Sequence, residues 1–485
     1  MSLKLYNTRT RSVETFVPLK ERHVRIYVCG LTPSAEAHLG HARSFLFFDV
    51  LRRYLESSGY ALTFVQNVTD IDDRSINRAR ETGEDWRAIV QAYFDSFKAS
   101  MRRLHVREPD REPRATEYIP QIVAMVERLM ASGAAYTTPD GVYYSVATFT
   151  HYGELSRRKL EELEAGARIE VDEDKRDPLD FALWKFAKPG EPSWESPWGA
   201  GRPGWHIECS AMSWELLGEQ FDIHGGGFDL IFPHHENEIA QTEALSHKRP
   251  MANFWLHGGL LLFDQRKMSK SLGNFEPLSA LLDRHDPQAI RLLFLQTGYR
   301  KPMNFTEESV AGATSGLRRL LAGYDALAAA AQDAAPNPDF PPAVAARESF
   351  RAEMDDDLNT SAALAGLFDL VEAKCVAPPA DAAALRDVMR EAMTILGIAP
   401  EERARREGSR FAPDFLDRLK GALGGELALN GVASEPEAIG LVLAERTHAR
   451  AAKDFARSDR LRDALVAAGV SIKDGKDGTT WTVDP

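Results

Sequence analysis

The sequence predicts an α/β fold: a Rossmann-type parallel-sheet domain with an inserted domain, followed by a helical bundle and a small C-terminal domain. Residues 24–28 are β-branched or aromatic except for Arg25, and they predict a strand that closes at Cys29-Gly30. From about His38, apolar residues recur every four positions, which predicts a helix that stops at Gly59. Residues 60–68 predict a second strand, so the three elements form a right-handed βαβ unit.

Changes of pattern further along the chain predict the remaining elements. At about Arg114 the sheet pattern gives way to helical segments and a small strand pair, and the chain returns to the sheet near Trp205. Gln220–His224 predicts another sheet strand, and the chain is helical after about Arg318. The predicted division is residues 1–113 and 204–255 for the two halves of the parallel-sheet domain, 114–203 for the insert, 256–317 for a loop-bearing region, 318–400 for the bundle and 401–485 for the C-terminal domain.

Composition excludes several classes of protein. The 485 residues are 44% hydrophobic and 27% charged, as in ordinary globular proteins. No apolar run approaches the roughly 18 residues of a membrane span, and the first residues lack a signal-peptide core, so we expect a cytoplasmic protein. A formal net charge of −13 argues against indiscriminate nucleic-acid binding. Three cysteines cannot form a disulfide framework, and Cys375 is expected to be an inert core residue.

Cys29, Cys209, His234 and Glu238 are a candidate zinc set, because two thiolates, an imidazole and a carboxylate are ligands that zinc prefers. His234 and Glu238 are four residues apart and would share one helix face. His235 points roughly 100° away on a helix and is expected to face substrate rather than metal. Each residue alone would be an ordinary core or surface side chain, and only the combination indicates a metal site.

His38-Leu39-Gly40-His41 marks the start of the first predicted helix. A helix N-terminus presents free amides to an anion, Gly40 would let a flat adenine ring approach the backbone, and His38 and His41 could donate to phosphate oxygens. Alone, the tetrapeptide would fit two surface histidines at a helix cap. Its position after a βα turn indicates a nucleotide site with His38 and His41 in catalysis.

Lys267-Met268-Ser269-Lys270-Ser271 predicts a second ATP-binding segment. The charges of Lys267 and Lys270 and the hydroxyl of Ser269 suit a triphosphate, because lysine is a compact charge on a flexible stem. The alternative for the pentapeptide alone is a solvated basic loop.

Together these motifs resemble the cysteinyl-tRNA synthetase family of class I aminoacyl-tRNA synthetases over essentially the full length. Beside the segments already named, the matching segments are Tyr27-Val28-Cys29-Gly30, Asn67-Val68-Thr69-Asp70-Ile71-Asp72-Asp73, Gly204-Trp205-His206-Ile207-Glu208-Cys209-Ser210, Asp222-Ile223-His224-Gly225-Gly226-Gly227 and Phe232-Pro233-His234-His235-Glu236-Asn237-Glu238.

The resemblance implies one Zn²⁺ per chain on the four candidate ligands and ATP contacts from Lys270. It also implies substrate contacts in a cleft with these candidate residues: Gly30, Thr69, Trp205, His224 and Asp229. One segment departs from the family, which commonly has Pro-Thr-Val-Tyr-Asp where this chain has Leu31-Thr32-Pro33-Ser34-Ala35. Roles that the family gives to that Tyr and Asp are therefore not carried over.

Zinc suits a site that must distinguish cysteine from serine. Hydrophobic fit alone discriminates such small differences by about 1–3 kcal/mol, whereas zinc prefers thiolate and can deprotonate a bound thiol. We expect Glu238 to be the loosest ligand, or the zinc to become five-coordinate, and no separate editing domain. The expected reaction uses ATP with Mg²⁺ to form cysteinyl-adenylate and then transfers cysteine to tRNA(Cys), on the 2′-OH by class I resemblance.

A basic stripe near the C-terminus predicts tRNA contacts. Its members step by four, three, four and three as if on one helix face: Arg446, Arg450, Lys453, Arg457 and Arg460. Ala449, Ala452, Phe455 and Ala456 would form the apolar face of this helix. Trp481 could stack on an unpaired base or be a core residue. The family places anticodon recognition in this region and tRNA-stem contacts in residues 256–317, and it implies a monomer.

Two alternatives remain open. The cysteine ligase of mycothiol synthesis, which joins cysteine to an amino sugar, shares the catalytic half and a Thr-Pro pair like Thr32-Pro33, but it needs no anticodon reader. A catalytically inactive tRNA-binding relative is disfavoured by the intact HLGH and KMSKS motifs.

Overall fold

A computed structural model describes residues 3–157, 174–263, 266–267, 276–372, 378–398, 415–425, 427, 429, 432, 435–475 and 478–483. The chain folds into two units, Met1–Ile398 and Ala399–Pro485. The finer predicted division into domains stays a prediction. None of the helices in the described ranges is long and apolar enough to cross a membrane.

The strands of the first unit are β1 Lys4–Asn7, β2 Ser12–Thr15, β3 His23–Leu31, β4 Ala61–Val68, β5 Ala135–Thr137, β6 Gly141–Tyr144, β7 Phe181–Phe186, β8 Gly201–Pro203, β9 Phe221–Gly227, β10 Ala252–Gly258, β11 Leu261–Phe263, β12 Arg266–Lys267 and β13 Met303–Phe305. Its α-helices are α1 Leu39–Ser57, α2 Asp73–Thr82, α3 Trp86–Arg103, α4 Ile119–Ala131, α5 Trp205–Leu217, α6 Glu236–Ser246, α7 Leu278–Arg284, α8 Pro287–Leu295, α9 Glu307–Ala331, α10 Pro341–Asp355, α11 Thr360–Glu372 and α12 Pro379–Ile395.

The central sheet is four-stranded and parallel, in the order β10-β9-β3-β4. This confirms the predicted α/β class and its βαβ unit. β3 continues three residues past the predicted Val28, so Cys29 and Gly30 lie inside the strand. Successive side chains of a strand face opposite sides, and accordingly Val28 packs into one hydrophobic core while Tyr27 and Cys29 pack into another.

Helix α1 covers the first of these cores. Phe48 lies so close to Gly225 of β9 that a Cβ on Gly225 would be 2.2 Å from the Phe48 ring. Glycine is therefore required there for close helix–sheet packing. The helix ends at Ser57, two residues before the Gly59 that predicted its end.

The inserted region contains more sheet than predicted. Its four strands form an antiparallel sheet in the order β5-β6-β7-β8, where the sequence indicated only a strand pair. β7 is the apolar and aromatic run Phe181-Ala182-Leu183-Trp184-Lys185-Phe186. Such a run is typical of a strand, so this strand could have been predicted from the sequence. β8 has only three residues and ends in Pro203, which is too short for periodicity to detect.

Helices α9 to α12 form the predicted helical bundle. Arg291, on α8 beside it, is completely buried and donates to Asp49 of α1 at 2.6 Å, to the Leu396 carbonyl at 2.6 Å and to the Leu104 carbonyl at 2.9 Å. One guanidinium thus ties the middle of α1 to the end of the last bundle helix.

The second unit has its own hydrophobic core. Its described elements are α13 Phe415–Leu423, α14 Glu435–Ala451, α15 Phe455–Ala467, β14 Val470–Gly475 and β15 Gly478–Val483, with the two strands paired antiparallel.

Candidate active site

A cavity of about 850 Å³ opens at the carboxyl ends of the parallel strands. Ligands bind at this edge in open α/β sheets. Residues from β3, β9, the start of α1 and one face of α2 line it, together with Trp205 at the start of α5. The cavity therefore brings together motifs that are far apart in the sequence.

The four predicted zinc ligands meet at the wall of this cavity. One ligand atom of each lies within 4.8 Å of the others: Cys29, Cys209, His234 and Glu238. The Sγ atoms of the two cysteines are 3.8 Å apart, Cys29 Sγ is 3.6 Å from Glu238 Oε1, and His234 Nε2 is 3.1 Å from the same oxygen. Ligands of a tetrahedral zinc at about 2.0–2.3 Å stand roughly 3.5 Å from one another. The donor set and its spacing therefore fit Zn²⁺.

Different elements position these four side chains. Cys29 faces the second hydrophobic core from β3, and Cys209 projects from the middle of α5. His234 lies near the end of a π-helical turn, Ile231–His235, and Glu238 is in the first turn of α6. The chain stays helical from His234 to Glu238, so their predicted common face is observed.

The electrostatics of the cluster favour a cation. Despite burial, the hydrogen bond from Cys29 and the charge of His234 lower the pKa of Cys209 to about 6. Burial and then Cys209 raise the pKa of Cys29 well above its usual range. Despite burial, His224 and His234 lower the pKa of Glu238 to about 2, while Glu238 and Cys209 raise that of His234 to about 10. A thiolate and a carboxylate are thus available at neutral pH, and metal binding would release protons from Cys29 and His234.

Two further histidines lie against the cluster rather than on the cavity wall. His224 Nε2 is 2.9 Å from Glu238 Oε2, and the His224 ring stacks on Trp255 at 4.5 Å. His235 Nε2 is 3.3 Å from Cys29 Sγ. The expectation that His235 faces substrate is wrong, because the start of α6 turns it toward the sheet. The substrate role of His224 stays a prediction, and the structure places it behind Glu238.

The two histidines of the HxGH segment are stacked, with ring centroids 3.9 Å apart. His38 Nδ1 accepts from the Gly40 amide at 3.1 Å, and His41 Nδ1 accepts from the His38 amide at 3.2 Å. A nitrogen that accepts carries no hydrogen, so each ring has its N–H at Nε2. Burial, then His38 and Arg74, lower the pKa of His41 to about 3. His41 is therefore a neutral hydrogen-bond donor.

The KMSKS segment is described only at its first residue. The backbone of Lys267 belongs to β12 and pairs with Leu262 of β11. Ser269 and Lys270 lie outside the described residues, so their predicted ATP contacts stay predictions.

The other predicted substrate residues line the cavity: Gly30, Thr69, Trp205 and Asp229. The Gly30 amide donates to Asn67 Oδ1 at 2.8 Å, and Asn67 Nδ2 donates to Thr69 Oγ1 at 3.3 Å. Trp205 is 40% exposed, and its ring centroid lies 4.4 Å from that of His234. Its indole ring therefore forms an apolar wall beside the cluster.

Sequence reasoning missed several residues of the site. Asn67 bridges two predicted substrate residues, and His206 Nδ1 is 3.0 Å from His234 Nδ1. Glu208 is buried beside Cys209; burial, then Cys209 and Asp70, raise its pKa well above the usual range. The sequence signal that could have found them is the polar residues that stand near predicted ligands and substrate residues in the chain, because such residues often orient a ligand. Arg74 and Arg78 also line the cavity.

The predicted basic helix of the C-terminal unit is two helices. α14 ends at Ala451 and α15 begins at Phe455, with Asp454 as its N-cap: the Asp454 side chain accepts from the Arg457 amide at 3.0 Å. Asp is a strong N-cap residue, and this local signal outweighed the apparent periodicity of the stripe. The prediction that Phe455 belongs to the apolar face of this helix is also wrong, because its side chain is 62% exposed.

The predicted tRNA-binding residues have mixed surroundings within this unit. Arg446 is buried, and Arg457 pairs with Glu445 at 2.9 Å. Arg450 and Lys453 are exposed. Trp481 is half-buried against the core of the unit. Their RNA contacts stay predictions.

Three families of known proteins match consecutive parts of the chain. The tRNA synthetases class I (C) catalytic domain matches residues 15–315, the DALR domain residues 349–400, and the cysteinyl-tRNA ligase anticodon binding domain residues 434–481. Among solved structures, a methionyl-tRNA synthetase of Mycobacterium tuberculosis bound by methionyl-adenylate has the same fold, with a TM-score of 0.60 and 16% identity over 81% of this chain and 95% of that chain.

Curated relatives match from end to end. The chain is 47% identical to the cysteine–tRNA ligase of Pseudomonas syringae pv. tomato, over 99% of both chains. It is 45% identical to that of Geobacter metallireducens, over the whole of both. On this full-length similarity and the match of the catalytic domain, the chain belongs to the cysteine–tRNA ligase family.

Proposed function

We propose that the protein is an ATP-dependent cysteine–tRNA ligase, which activates L-cysteine as cysteinyl-adenylate and transfers it to tRNA(Cys). The observation that carries this proposal is the convergence of two thiols, an imidazole and a carboxylate beside the cavity that the HxGH segment lines. Soft sulfur-containing and nitrogen donors beside a nucleotide-type site suit a thiol-bearing substrate.

In this proposal Cys29, Cys209, His234 and Glu238 hold Zn²⁺. When bound, the zinc supplies a Lewis acid that prefers thiolate over hydroxyl. Trp205 packs against His234 and closes the side of the substrate pocket. The Nε2–H of His224 donates to Glu238 Oε2 and thereby orients the carboxylate. Gly30, Thr69 and Asp229 border the space left for the amino acid.

The cysteine carboxylate attacks the α-phosphorus of ATP, and pyrophosphate leaves with the bonding electron pair. The Nε2–H groups of His38 and His41 donate to the phosphate as its charge develops, and Gly40 admits the adenine. Lys267, Ser269 and Lys270, with Mg²⁺, complete the proposed triphosphate site. The tRNA 2′-OH then takes the cysteinyl group and AMP leaves. We place the reaction in the cytoplasm, on a monomer, with Arg446, Arg450, Lys453, Arg457 and Trp481 as tRNA contacts.

Cysteine-dependent ATP–pyrophosphate exchange and cysteinylation of tRNA(Cys) test the activity, with metal analysis of the same preparation. We expect the parent protein to hold one zinc and to reject serine. Cys209→Ala should lose zinc and discrimination against serine, whereas Cys375→Ala should behave as the parent. Exchange without transfer to tRNA, and transfer to an amino sugar instead, would favour the mycothiol-type ligase, and no exchange at all would favour an inactive relative.

A further inference from the structure

Helix α2 provides the positive charge of the cavity wall. Among the described residues that line the cavity, Arg74 and Arg78 are the only lysine or arginine side chains. His41 adds no charge at neutral pH, because its pKa is about 3. An anion that enters the described part of the cavity therefore meets these two guanidinium groups.

The helix itself holds the two arginines toward the cavity. α2 begins directly after the loop that follows β4, with the Asp72 side chain accepting from the Arg74 amide at 2.8 Å. Arg74, Asn77 and Arg78 are spaced i, i+3 and i+4, which puts them on one helix face, and all three line the cavity. Arg80 of the same helix pairs instead with Glu191 at 2.9 Å.

Each of the two guanidinium groups keeps capacity for a ligand. The Arg74 side chain is 67% exposed and, among the described residues, contacts the Asp72 carboxylate through Nε alone, at 3.1 Å. Arg78 packs its guanidinium 5.1 Å above the Tyr93 ring, which fixes its direction while leaving its hydrogen-bond donors unused by that contact. Of the carboxylates on the same wall, Glu36 accepts from Ser96 at 2.8 Å, and Glu81 lies one turn beyond Arg78.

The position relative to the HxGH segment decides which anion these arginines suit. Arg74 stands close enough to His41 for its charge to act on that imidazole and lower its pKa. His38, His41 and Arg74 all line the cavity, so the HxGH segment and the guanidinium of Arg74 border the same space. A polyphosphate has oxygens enough for all of these donors, and the planar guanidinium can bind two of them at once.

We propose that Arg74, assisted by Arg78, binds the polyphosphate of ATP on the side of the cavity formed by α2. This rests on the proposed function only for the identity of the nucleotide. The two arginines act before the chemical step, as phosphate-binding residues that hold the β- and γ-phosphates while the cysteine carboxylate approaches the α-phosphorus.

Equilibrium titration with Mg·ATP and with adenosine tests the proposal, because adenosine lacks the phosphates. Arg74→Ala should weaken Mg·ATP binding about tenfold, as expected for the loss of one charge-assisted hydrogen bond, and leave adenosine binding unchanged. Arg74→Lys should recover part of the loss. Arg80→Ala is the matched control, an arginine of the same helix outside the cavity, and should bind both ligands as the parent does.

Two outcomes would overturn the proposal: an equal loss of affinity for adenosine and Mg·ATP in Arg74→Ala, or unchanged Mg·ATP binding in that variant. If Mg·ATP binding were unchanged and only transfer onto tRNA were lost, the two arginines would be assigned to binding of the tRNA. If the parent binds Mg·ATP in an Arg74-dependent way but shows no cysteine-dependent exchange, the proposed function fails and the phosphate site stands.

Discussion

The chemistry of Cys29 depends on its place in a strand. Because side chains alternate along β3, Tyr27 and Cys29 face away from α1, toward the core that also contains Cys209. The next residue, Gly30, passes so close to β4 that a Cβ would lie 1.6 Å from the Asn67 carbonyl oxygen. Cys29 thus presents its thiol to the cluster, and Gly30 brings the backbone into contact with Asn67.

Gly30→Ala is therefore expected to destabilise the protein by about 3 kcal/mol, the upper end of the usual cost of overpacking, because the overlap is with backbone that cannot move aside. The free energy of unfolding measures this, with urea as denaturant. Gly312→Ala is the control: Gly312 is exposed on α9, and no described atom lies within 4 Å of an added Cβ. It should gain about 0.5–1 kcal/mol, since alanine favours a helix. Equal effects of the two changes would contradict the close contact at Gly30.

His257 makes stability depend on acid. Its ring is buried between Thr8 Oγ1 and His235 Nδ1, each at 2.8 Å. Burial, then His224 and Arg11, lower its pKa from 6.5 to about 3. Between pH 6.5 and pH 3, His257 is protonated in the unfolded chain but stays neutral in the folded protein. This contribution to stability is thus complete above pH 6.5 and is lost as the pH falls toward 3.

At pH 5.5 the loss from His257 should be about 1.4 kcal/mol relative to pH 7.5. Urea unfolding of the parent and of His257→Gln at both pH values checks this. His257→Gln should be less stable than the parent at both pH values. The difference between its free energies of unfolding at pH 7.5 and pH 5.5 should, however, be smaller than that of the parent by about 1.4 kcal/mol. An identical pH difference in both proteins would show that His257 keeps an ordinary pKa when folded.

At the scale of the element, α1 serves two parts of the fold. Its first turn carries His38 and His41, while Asp49 near its middle receives Arg291 of α8 at 2.6 Å and Arg53 at 2.8 Å. Both Asp49 and Arg291 are buried. The helix that begins at the HxGH segment is thereby held to the end of the bundle by a charged contact shielded from water.

Asp49→Asn should cost about 3–5 kcal/mol, because it leaves the Arg291 cation buried without its carboxylate. Glu219→Gln, which breaks the exposed pair with Lys248 at 2.5 Å, should cost less than about 1 kcal/mol. Thermal or urea unfolding of the two variants compares them. If removing the buried carboxylate were as mild as removing the exposed one, the contact would not hold α1 in place.

Helix boundaries in the second unit show the limit of periodic patterns. The basic residues step as if along one helix, yet Asp454 caps a new helix and Lys453 between the two has a φ of 60°. A capping side chain satisfies amides that a continuous helix would satisfy with carbonyls. Whether the chain forms one continuous helix or two helices depends on this local capping, which the spacing of the basic residues does not predict.

Each of the two units of the chain has a hydrophobic core of its own. A chain that stops after Ile398 should therefore fold and retain cysteine-dependent ATP–pyrophosphate exchange, since the described residues that line the cavity all lie between residues 28 and 262. Its cysteinylation of tRNA(Cys) should fall by at least about tenfold, equivalent to about 1.4 kcal/mol of lost RNA binding. Full transfer activity in the truncated chain would contradict a tRNA role for the second unit.

The parallel-sheet class, the HxGH turn and the four candidate metal ligands could be predicted from the sequence alone, because side-chain periodicity, turn chemistry and ligand type are local properties. The buried side chains that support those ligands could not be predicted in this way, because they come from packing: His224 and His235 reach the cluster where β9 and α6 pack beside β3, and Asn67 of β4 meets Gly30 of β3. The position of Arg74 on the cavity wall was also not predictable from the sequence, because it depends on how α2 packs after β4. Contacts between distant segments are set by packing, which no short pattern encodes.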